Sequence, residues 1–335
     1  MMANLLKIVA LSVLSTLILS TATAQSNDTI IDTKQMQKAM ERGAIIWDIR
    51  DEKSYLEGHL PGAINFGDVG AVLKDPNKED FIATEQIKKI FDAAGLDVRR
   101  EVMVYGLRGN PNAYFGLYAV NYFGGQQAKA YHDGIDGWKA AGLPLTKERT
   151  IAPPVSVTLI EQPHLMVTNE EMLKLFNDSN LQIVDTRTPD EYSGKDIRAI
   201  RGGHIPNAIN IPFEENWQDP AAAIKLSKKL VTDNSGMALK SRVDLKKLYS
   251  KLDPNKETVV YCQSGVRASE TTAVLKDLGF KNVRVYDSSW LGWGNNLNAP
   301  AVEETFLNVG ALNSKITAMQ AKINQLEEAL KAKSN

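Results

Sequence analysis

The sequence predicts an α/β protein with two related domains, each a parallel sheet flanked by helices, followed by a C-terminal heptad-repeat helix. Three observations support this prediction: an internal repeat, short apolar runs that alternate with helical stretches, and apolar residues spaced by three and four in the tail. Alternating strands and helices are typical of parallel sheets with helices on both faces. The 335 residues suffice for two domains of roughly 100–200 residues each.

The internal repeat consists of two motifs in the same order. In each copy an apolar run ends in Asp-x-Arg, a polar helix-like stretch follows, and Gly-His-x-Pro comes next. The first copy has these motifs at residues 48–50 and 58–61, and the second has them at 185–187 and 203–206. Longer loops in the second copy, mainly 191–202 and 212–244, account for its greater length.

A second pair of apolar runs predicts a further strand in each domain. Residues 101–105 and 258–261 are short and rich in β-branched residues, as buried parallel strands are. Ligands of such sheets bind outside the carboxyl ends of the strands. Cys262 directly follows the second of these runs, so we expect it at the functional edge of its sheet.

The N-terminal segment has the pattern of a cleavable secretory signal over residues 1–24. Lys7 precedes an apolar run at 8–19, and Ala-Thr-Ala stands before Gln25. The run is shorter than the roughly 20 apolar residues of a membrane span. The alternative is an uncleaved anchor. We expect an exported protein, in a bacterial periplasm, without stable membrane insertion after cleavage.

The repeat also predicts the domain boundaries. We place the first domain at 28–148, a proline-bearing linker at 149–165, the second domain at 166–302 and a coiled-coil helix at 305–333. Lys322 and Glu327 occupy g and e positions of the tail, which favours a homo-oligomer through this helix over packing on its own domain. The heptad positions are held by Val309, Leu312, Ile316, Met319, Ile323, Leu326 and Leu330.

Composition excludes several classes of function. The formal net charge of −1 gives no electrostatic footprint for nucleic acid or anionic lipid. No cluster has metal-ligand spacing, so we expect neither a metal nor a cofactor. Cys262 is the single cysteine, which rules out an intramolecular disulfide. In an exported protein a lone cysteine suggests a free reactive thiol, and the alternative is a small buried hydrophobe.

The loop that follows the second of these strands favours the reactive thiol. Successive backbone N–H groups and a helix N-terminus over 268–278, ended by Gly279, would stabilise a thiolate and attract an anionic substrate. The four histidines are distant in sequence, so papain-like acyl transfer has no support there. The loop consists of Cys262, Gln263, Ser264, Gly265, Val266 and Arg267.

Together, this loop, the twin motifs and the closing stretch at 286–294 resemble tandem rhodanese proteins over about residues 30 to 300. The resemblance implies two rhodanese-like domains and a sulfurtransferase without a cofactor. Cys262 would take the outer sulfur of a small anionic donor as a persulfide, held by the backbone of residues 263–267. Cyanide or a thiol would then accept it. Residues 105–110 of the first copy contain no cysteine, so that domain would be inactive.

The donor remains open between two compounds. Arg267 supplies a positive charge that Gln263 and Ser264 lack, which favours thiosulfate. The alternative, 3-mercaptopyruvate, is favoured by Ser264, Gly265 and Val266, which match its family loop. That family also implies a possible triad of Asp48, His59 and Ser264. The alternative, which the sequence favours, is that His59 is a structural histidine of its own domain, since its motif recurs in both copies.

Donor binding is predicted for Arg187, with Arg201 and Trp290 as further candidates. A salt bridge from Arg187 to Asp190 or Glu191 is the alternative, and Trp290 and Trp293 could be core residues instead of site walls. Phosphatase or arsenate reductase chemistry would require Cys-x5-Arg, whereas only four residues separate Cys262 from Arg267. A persulfide carrier or binding module with little small-molecule turnover is a further alternative.

Overall fold

A computed structural model describes residues 28–76 and 80–334. The predicted signal segment, 1–24, lies outside the described residues. Within the described ranges, no helix combines the length and apolar character needed to cross a bilayer. The strands are β1 (Ile30–Ile31), β2 (Ile45–Asp48), β3 (Val102–Tyr105), β4 (Ala128–Tyr131), β5 (Met166–Val167), β6 (Gln182–Asp185), β7 (Arg201–His204), β8 (Ala208–Asn210), β9 (Glu257–Tyr261), β10 (Asn282–Tyr286) and β11 (Val302–Phe306).

Helices connect most of these strands and cover the sheets. Short 3-10 turns occur at Pro163–Leu165, Phe213–Asn216 and Ser235–Met237. The α-helices are α1 (Thr33–Glu41), α2 (Glu52–Glu57), α3 (Val69–Leu73), α4 (Thr84–Ala94), α5 (Asn112–Tyr122), α6 (Gly134–Ala140), α7 (Asn169–Leu175), α8 (Pro189–Tyr192), α9 (Ala222–Ser227), α10 (Arg242–Leu248), α11 (Val266–Leu278), α12 (Ser289–Asn295) and α13 (Val309–Ser334).

Each sequence repeat forms its own parallel sheet. The first sheet has the strand order β1-β4-β3-β2 and the second has β5-β10-β9-β6-β8. All strand pairs within these two sheets are parallel, whereas β7 and β11 form a separate antiparallel pair. The predicted architecture of two parallel sheets flanked by helices is therefore confirmed.

Local sequence sets the ends of the helix behind the cysteine loop. Helix α11 begins at Val266, two residues earlier than predicted, because Gly265 adopts a φ of +82° at its N-cap. Left-handed backbone of this kind favours glycine, which has no Cβ. Gly279, with a φ of +98°, ends the helix as predicted.

The two domains pack against each other through helices α5 and α11. One apolar cluster contains buried residues of both sheets, including Val104 of β3 and Val260 of β9. Polar contacts join the domains as well: Lys74 forms a buried ion pair with Asp287 at 3.1 Å. The domain interface therefore reaches the turn after β10, next to the cysteine loop.

The tail leaves the second domain as an exposed helix. Residues 305 and 306 belong to β11, so α13 begins four residues later than the predicted boundary at 305. All its side chains from 309 to 332 are exposed, so the alternative that it packs on its own domain is not what the structure shows. Oligomerisation through this helix stays a prediction.

Candidate active site

Cys262 lies at the carboxyl end of the central strand β9, where the chain turns into α11. Its residue surface is only 1% exposed. Two backbone hydrogen bonds hold the turn against the next one: the N–H of Trp290 donates to the Cys262 carbonyl and that of Leu291 donates to the Gln263 carbonyl, both at 3.0 Å. The thiol therefore sits at a rigid strand-to-helix turn.

The hydroxyl of Ser289 holds this turn in place through three hydrogen bonds. It accepts hydrogen bonds from the N–H of Cys262 at 3.1 Å and of Gly265 at 3.0 Å, and it donates to the Tyr286 carbonyl at 2.7 Å. Ser289 has a φ of +52°, a conformation that costs a non-glycine residue about 1–3 kcal/mol. This cost places the hydroxyl where it satisfies two otherwise orphaned donors.

Four backbone N–H groups of the loop have no protein acceptor within the described ranges. They belong to Gln263, Ser264, Val266 and Arg267; the last two are in the first helical turn, where N–H groups lack intrahelical partners. The sequence assigned all of residues 263–267 to the anion nest. Gly265 does not belong to it, because its N–H binds Ser289. Such a set of free donors suits a small anion.

Gly265 is fixed by a close approach as well as by its φ angle. A Cβ at this position would lie 2.6 Å from Oδ1 and 2.8 Å from the carbonyl oxygen of Asp287. The loop thus packs directly on the turn after β10. No other residue type can hold the loop in this shape.

Arg267 is anchored by a carboxylate that the sequence did not single out for this role. Its guanidinium donates two hydrogen bonds to Glu191, at 2.7 and 2.8 Å. Arg198 donates a third, at 3.2 Å, and its own side chain is half exposed. Burial opposes ionisation of Glu191, yet the Arg267 contacts prevail and lower its pKa to about 2. Glu191 is therefore ionised and the loop carries a fixed ion pair.

The segment 191–202 closes over the loop from the other side. The Gln263 side chain donates from Nε2 to the Arg198 carbonyl at 2.7 Å. The segment that contacts the loop therefore carries a half-exposed cation, Arg198. The sequence flagged this longer loop but gave no reason to choose Arg198 within it.

Arg187 is buried and fully engaged, with only 1% of its surface exposed. Its guanidinium binds both carboxylate oxygens of Asp185 and the Gly203 carbonyl, and it stacks on the Trp290 ring at 4.5 Å. The ion-pair partner is Asp185 and not Asp190 or Glu191. This geometry supports a structural role, and donor binding by Arg187 stays a prediction.

Arg201 and Trp290 are also built into the fold. Arg201 is 2% exposed, donates to the carbonyls of Gly294, Asn296 and Ala299, and pairs with Glu304. Trp290 is 1% exposed and donates from its indole N–H to the Arg201 carbonyl at 2.9 Å. Their predicted contact with a donor has no geometric support here.

The possible triad is not brought together. Asp48 binds Arg50 and the Tyr105 hydroxyl, and both ring nitrogens of His59 contact backbone carbonyls, those of Tyr55 and Glu148. These bonds stay within residues 28–148, and none reaches Ser264. The triad remains a prediction without support from the hydrogen-bond pattern.

The second copy repeats this scaffold around its own histidine. His204 donates from Nδ1 to the Tyr192 carbonyl at 3.0 Å and stacks on the Tyr192 ring at 3.6 Å, as His59 stacks on Tyr55 at 3.7 Å. Because the set occurs equally in the copy that has no cysteine, it serves the fold of each domain. No group of three or more His, Cys, Asp or Glu residues that could hold a metal was found among the described residues.

In the first copy the corresponding loop is covered by the second domain. Gly109 lies against Met237 and Trp217: a Cβ there would be 2.8 Å from the Met237 Cβ. His132, at the end of β4, donates from Nε2 to the Met237 carbonyl at 2.8 Å while Nδ1 accepts from the Tyr114 hydroxyl. The insertion 212–244 thus closes a loop that lacks a nucleophile.

Comparisons with known proteins agree with this geometry. Residues 32–141 and 168–296 match the model of the rhodanese-like domain. The thiosulfate sulfurtransferase of Corynebacterium glutamicum is 35% identical over 262 residues, which cover 75% of this chain and 81% of that protein. A putative thiosulfate sulfurtransferase of Mycobacterium leprae is 33% identical over 291 residues, which cover 82% and 97%.

Solved structures confirm the fold alone. An anaerobic ergothioneine biosynthesis enzyme from Chlorobium limicola, in complex with trimethyl histidine, aligns with a TM-score of 0.70 at 20% identity, over 83% of this chain and 70% of that chain. The family is assigned from two other findings: the domain model matches both sequence repeats, and the sulfurtransferases share about a third of the aligned residues. The chain belongs to the rhodanese family, as a tandem-domain sulfurtransferase of the thiosulfate sulfurtransferase type.

Proposed function

We propose that this protein moves a sulfane sulfur from thiosulfate to a thiophilic acceptor through a persulfide on Cys262. The observation that carries the proposal is the cradle around the thiol. Four N–H groups, of Gln263, Ser264, Val266 and Arg267, have no acceptor in the described part of the chain. A charge at the terminal sulfur of a Cys262 persulfide would satisfy them.

The reaction has two balanced steps. The Cys262 thiolate attacks the outer sulfur of thiosulfate, a sulfur–sulfur bond forms, and the original one breaks to release sulfite. Cyanide then attacks the terminal sulfur, which leaves as thiocyanate and restores the thiolate. A thiol could replace cyanide as the acceptor. Both steps are nucleophilic displacements at sulfur that need only one cysteine.

Fixed charges near the loop support an anionic donor. Arg267 is held in place by Glu191, so its charge is largely compensated. Arg198, half exposed beside Gln263, adds a positive charge at the rim. The donors suited to this cradle are small, because Cys262 is only 1% exposed. These features support thiosulfate over bulkier sulfur donors.

The direct test measures sulfur transfer to cyanide by the protein with reduced Cys262. Thiosulfate and 3-mercaptopyruvate are compared, with Cys262→Ser as the matched control. Turnover with thiosulfate that vanishes in the variant supports the proposal. Turnover with 3-mercaptopyruvate alone would assign the other donor. A stable persulfide with no turnover on either donor would instead favour a carrier that hands sulfur to a partner protein.

We also propose that the chain acts outside the cytoplasm, in a bacterial periplasm. Support comes from residues 1–24, with the apolar run at 8–19 and the Ala-Thr-Ala before Gln25. Cell fractionation and N-terminal sequencing of the isolated protein test this proposal. A mature chain that begins near Gln25 in the periplasmic fraction is expected, and an intact N-terminus in the cytoplasm would contradict it.

A further inference from the structure

Helix α13 presents a continuous apolar stripe that is exposed to solvent in the described part of the chain. The helix has 26 residues, so at about 1.5 Å per residue it is about 39 Å long. Its seam residues are 40% to 67% exposed. Single apolar side chains scattered over a surface are normal, whereas a contiguous apolar stripe of this length is typical of an interaction surface. The seam consists of Val309, Leu312, Ile316, Met319, Ile323, Leu326 and Leu330.

The residue types along the seam indicate how many helices it joins. With Val309 at position a, the a positions also hold Ile316 and Ile323, so β-branched residues fill three of the four. The d positions hold Leu312, Met319 and Leu326. β-Branched residues at a with leucine at d favour parallel two-stranded coiled coils over larger assemblies.

The flanking charges indicate the orientation. Lys315 and Lys322 occupy g positions, whereas Gln320 and Glu327 occupy e positions. In a parallel pair each g side chain faces the following e side chain of the other helix, so Lys322 meets Glu327 of the partner subunit. In an antiparallel pair g faces g, and lysine would face lysine. Charge complementarity therefore favours the parallel arrangement.

We propose that α13 pairs with α13 of a second copy of this chain as a parallel, in-register, two-stranded coiled coil. The helix follows β11 directly, so parallel pairing places both catalytic bodies at the same end of the stalk. Each body keeps its own Cys262 site, because the seam starts at Val309 and its residues do not take part in that site. The proposal is independent of the donor and the acceptor.

Light scattering of the full chain after gel filtration tests the two-stranded state. We expect twice the mass of the 36.9 kDa chain. The double substitution Ile316→Asp with Ile323→Asp, which puts charges into two a layers, should give the single mass. Ala321→Asp, at the outward f position between them, should leave the doubled mass unchanged. A single mass for the unaltered chain, or three or four copies, would overturn the proposal.

Cysteine cross-linking tests the orientation in a Cys262→Ser background, where no other thiol exists. Leu330→Cys alone should form a disulfide-linked dimer under mild oxidation, because in-register parallel helices bring equivalent positions within disulfide reach. An antiparallel pair would instead link Leu330→Cys only to a co-expressed Leu312→Cys chain. That second result, without self-linkage of Leu330→Cys, would refute parallel pairing.

Discussion

The two strand-to-helix turns of the repeat occupy equivalent places in their domains but differ in sequence and in what packs against them. In the first copy the N–H of Ile135 donates to the Gly106 carbonyl at 3.0 Å, as that of Trp290 donates to the Cys262 carbonyl in the second. Gly106 therefore stands where the nucleophile would be. The residue beneath each turn has a φ of +52°, but it is Gly134 in the first copy and Ser289 in the second.

The surroundings of the turns differ as much as their sequences. A Cβ on Gly134 would lie 2.2 Å from the Gly106 carbonyl oxygen, so the first copy has no room for a supporting hydroxyl there. Met237 and Trp217 of the second domain pack on Gly109. One repeat therefore presents a cradle next to its cysteine, whereas the corresponding loop of the other packs against the neighbouring domain.

The largest effect is expected when the nucleophile is removed. Cys262→Ser should lower turnover with thiosulfate and cyanide by about 10³-fold or more. Adding Gly106→Cys to that variant should restore nothing, because the first turn is covered and lacks a supporting hydroxyl. Steady-state assays check both, with thermal unfolding as the control for folding. Restored turnover would show that the first turn is still a working cradle.

The second-largest effect is expected when the carboxylate that pairs with a loop arginine is removed, and it should differ between the two copies. Glu191→Gln leaves the largely buried Arg267 without its carboxylate and should lower the free energy of unfolding at neutral pH by about 3 kcal/mol. In the first copy Arg108 pairs with the more exposed Asp133, so Asp133→Asn should cost about 1 kcal/mol or less. Urea unfolding of both variants measures the contrast, and equal losses would contradict it.

The pH dependence of the first of these effects follows from the lowered pKa of Glu191. Its pKa is about 2 in the folded protein, below its value in the unfolded chain, so the stabilisation is fully present above about pH 4.5. It is lost as the pH falls through about 2. The difference in the free energy of unfolding between the parent and Glu191→Gln should therefore be constant at neutral pH and disappear only in strong acid.

The fold could be predicted from the sequence because its signals are local and occur twice. The sequence predicted an ion pair for Arg187 only as an alternative and with Asp190 or Glu191, whereas the structure pairs it with Asp185 of its own motif, as Arg50 pairs with Asp48. The site could be predicted only in part. Glu191 and Arg267 are 76 residues apart, and no spacing rule joins them. Ser289 depends on a left-handed φ that its own sequence does not reveal.

Replacing the support beneath the cysteine turn should have a smaller effect. Ser289→Gly, which copies Gly134, relieves backbone strain but leaves two buried N–H groups without an acceptor at about 1–3 kcal/mol each. We expect a net loss of about 2 kcal/mol in stability and about tenfold or more in kcat/KM. Ser289→Ala keeps the strain and loses the hydroxyl, so it should be less stable still. A fully active Ser289→Gly enzyme would show that the hydroxyl is not needed to hold the cysteine turn.

The smallest effect concerns His132, which joins the covered turn to the Met237 carbonyl. Burial lowers the pKa of His132 to about 4, below that of an unfolded histidine, although the Met237 carbonyl and Asp133 oppose the shift. Its stabilisation is therefore complete above about pH 6.5 and declines as the pH falls towards about 4. Between about pH 7.5 and pH 5 the parent should lose about 2 kcal/mol more than His132→Gln does. Urea unfolding at both pH values measures this, with His164→Gln, a substitution at an exposed histidine, as the control. Parallel pH profiles for parent and His132→Gln would mean that the histidine is not buried as a neutral link between the domains.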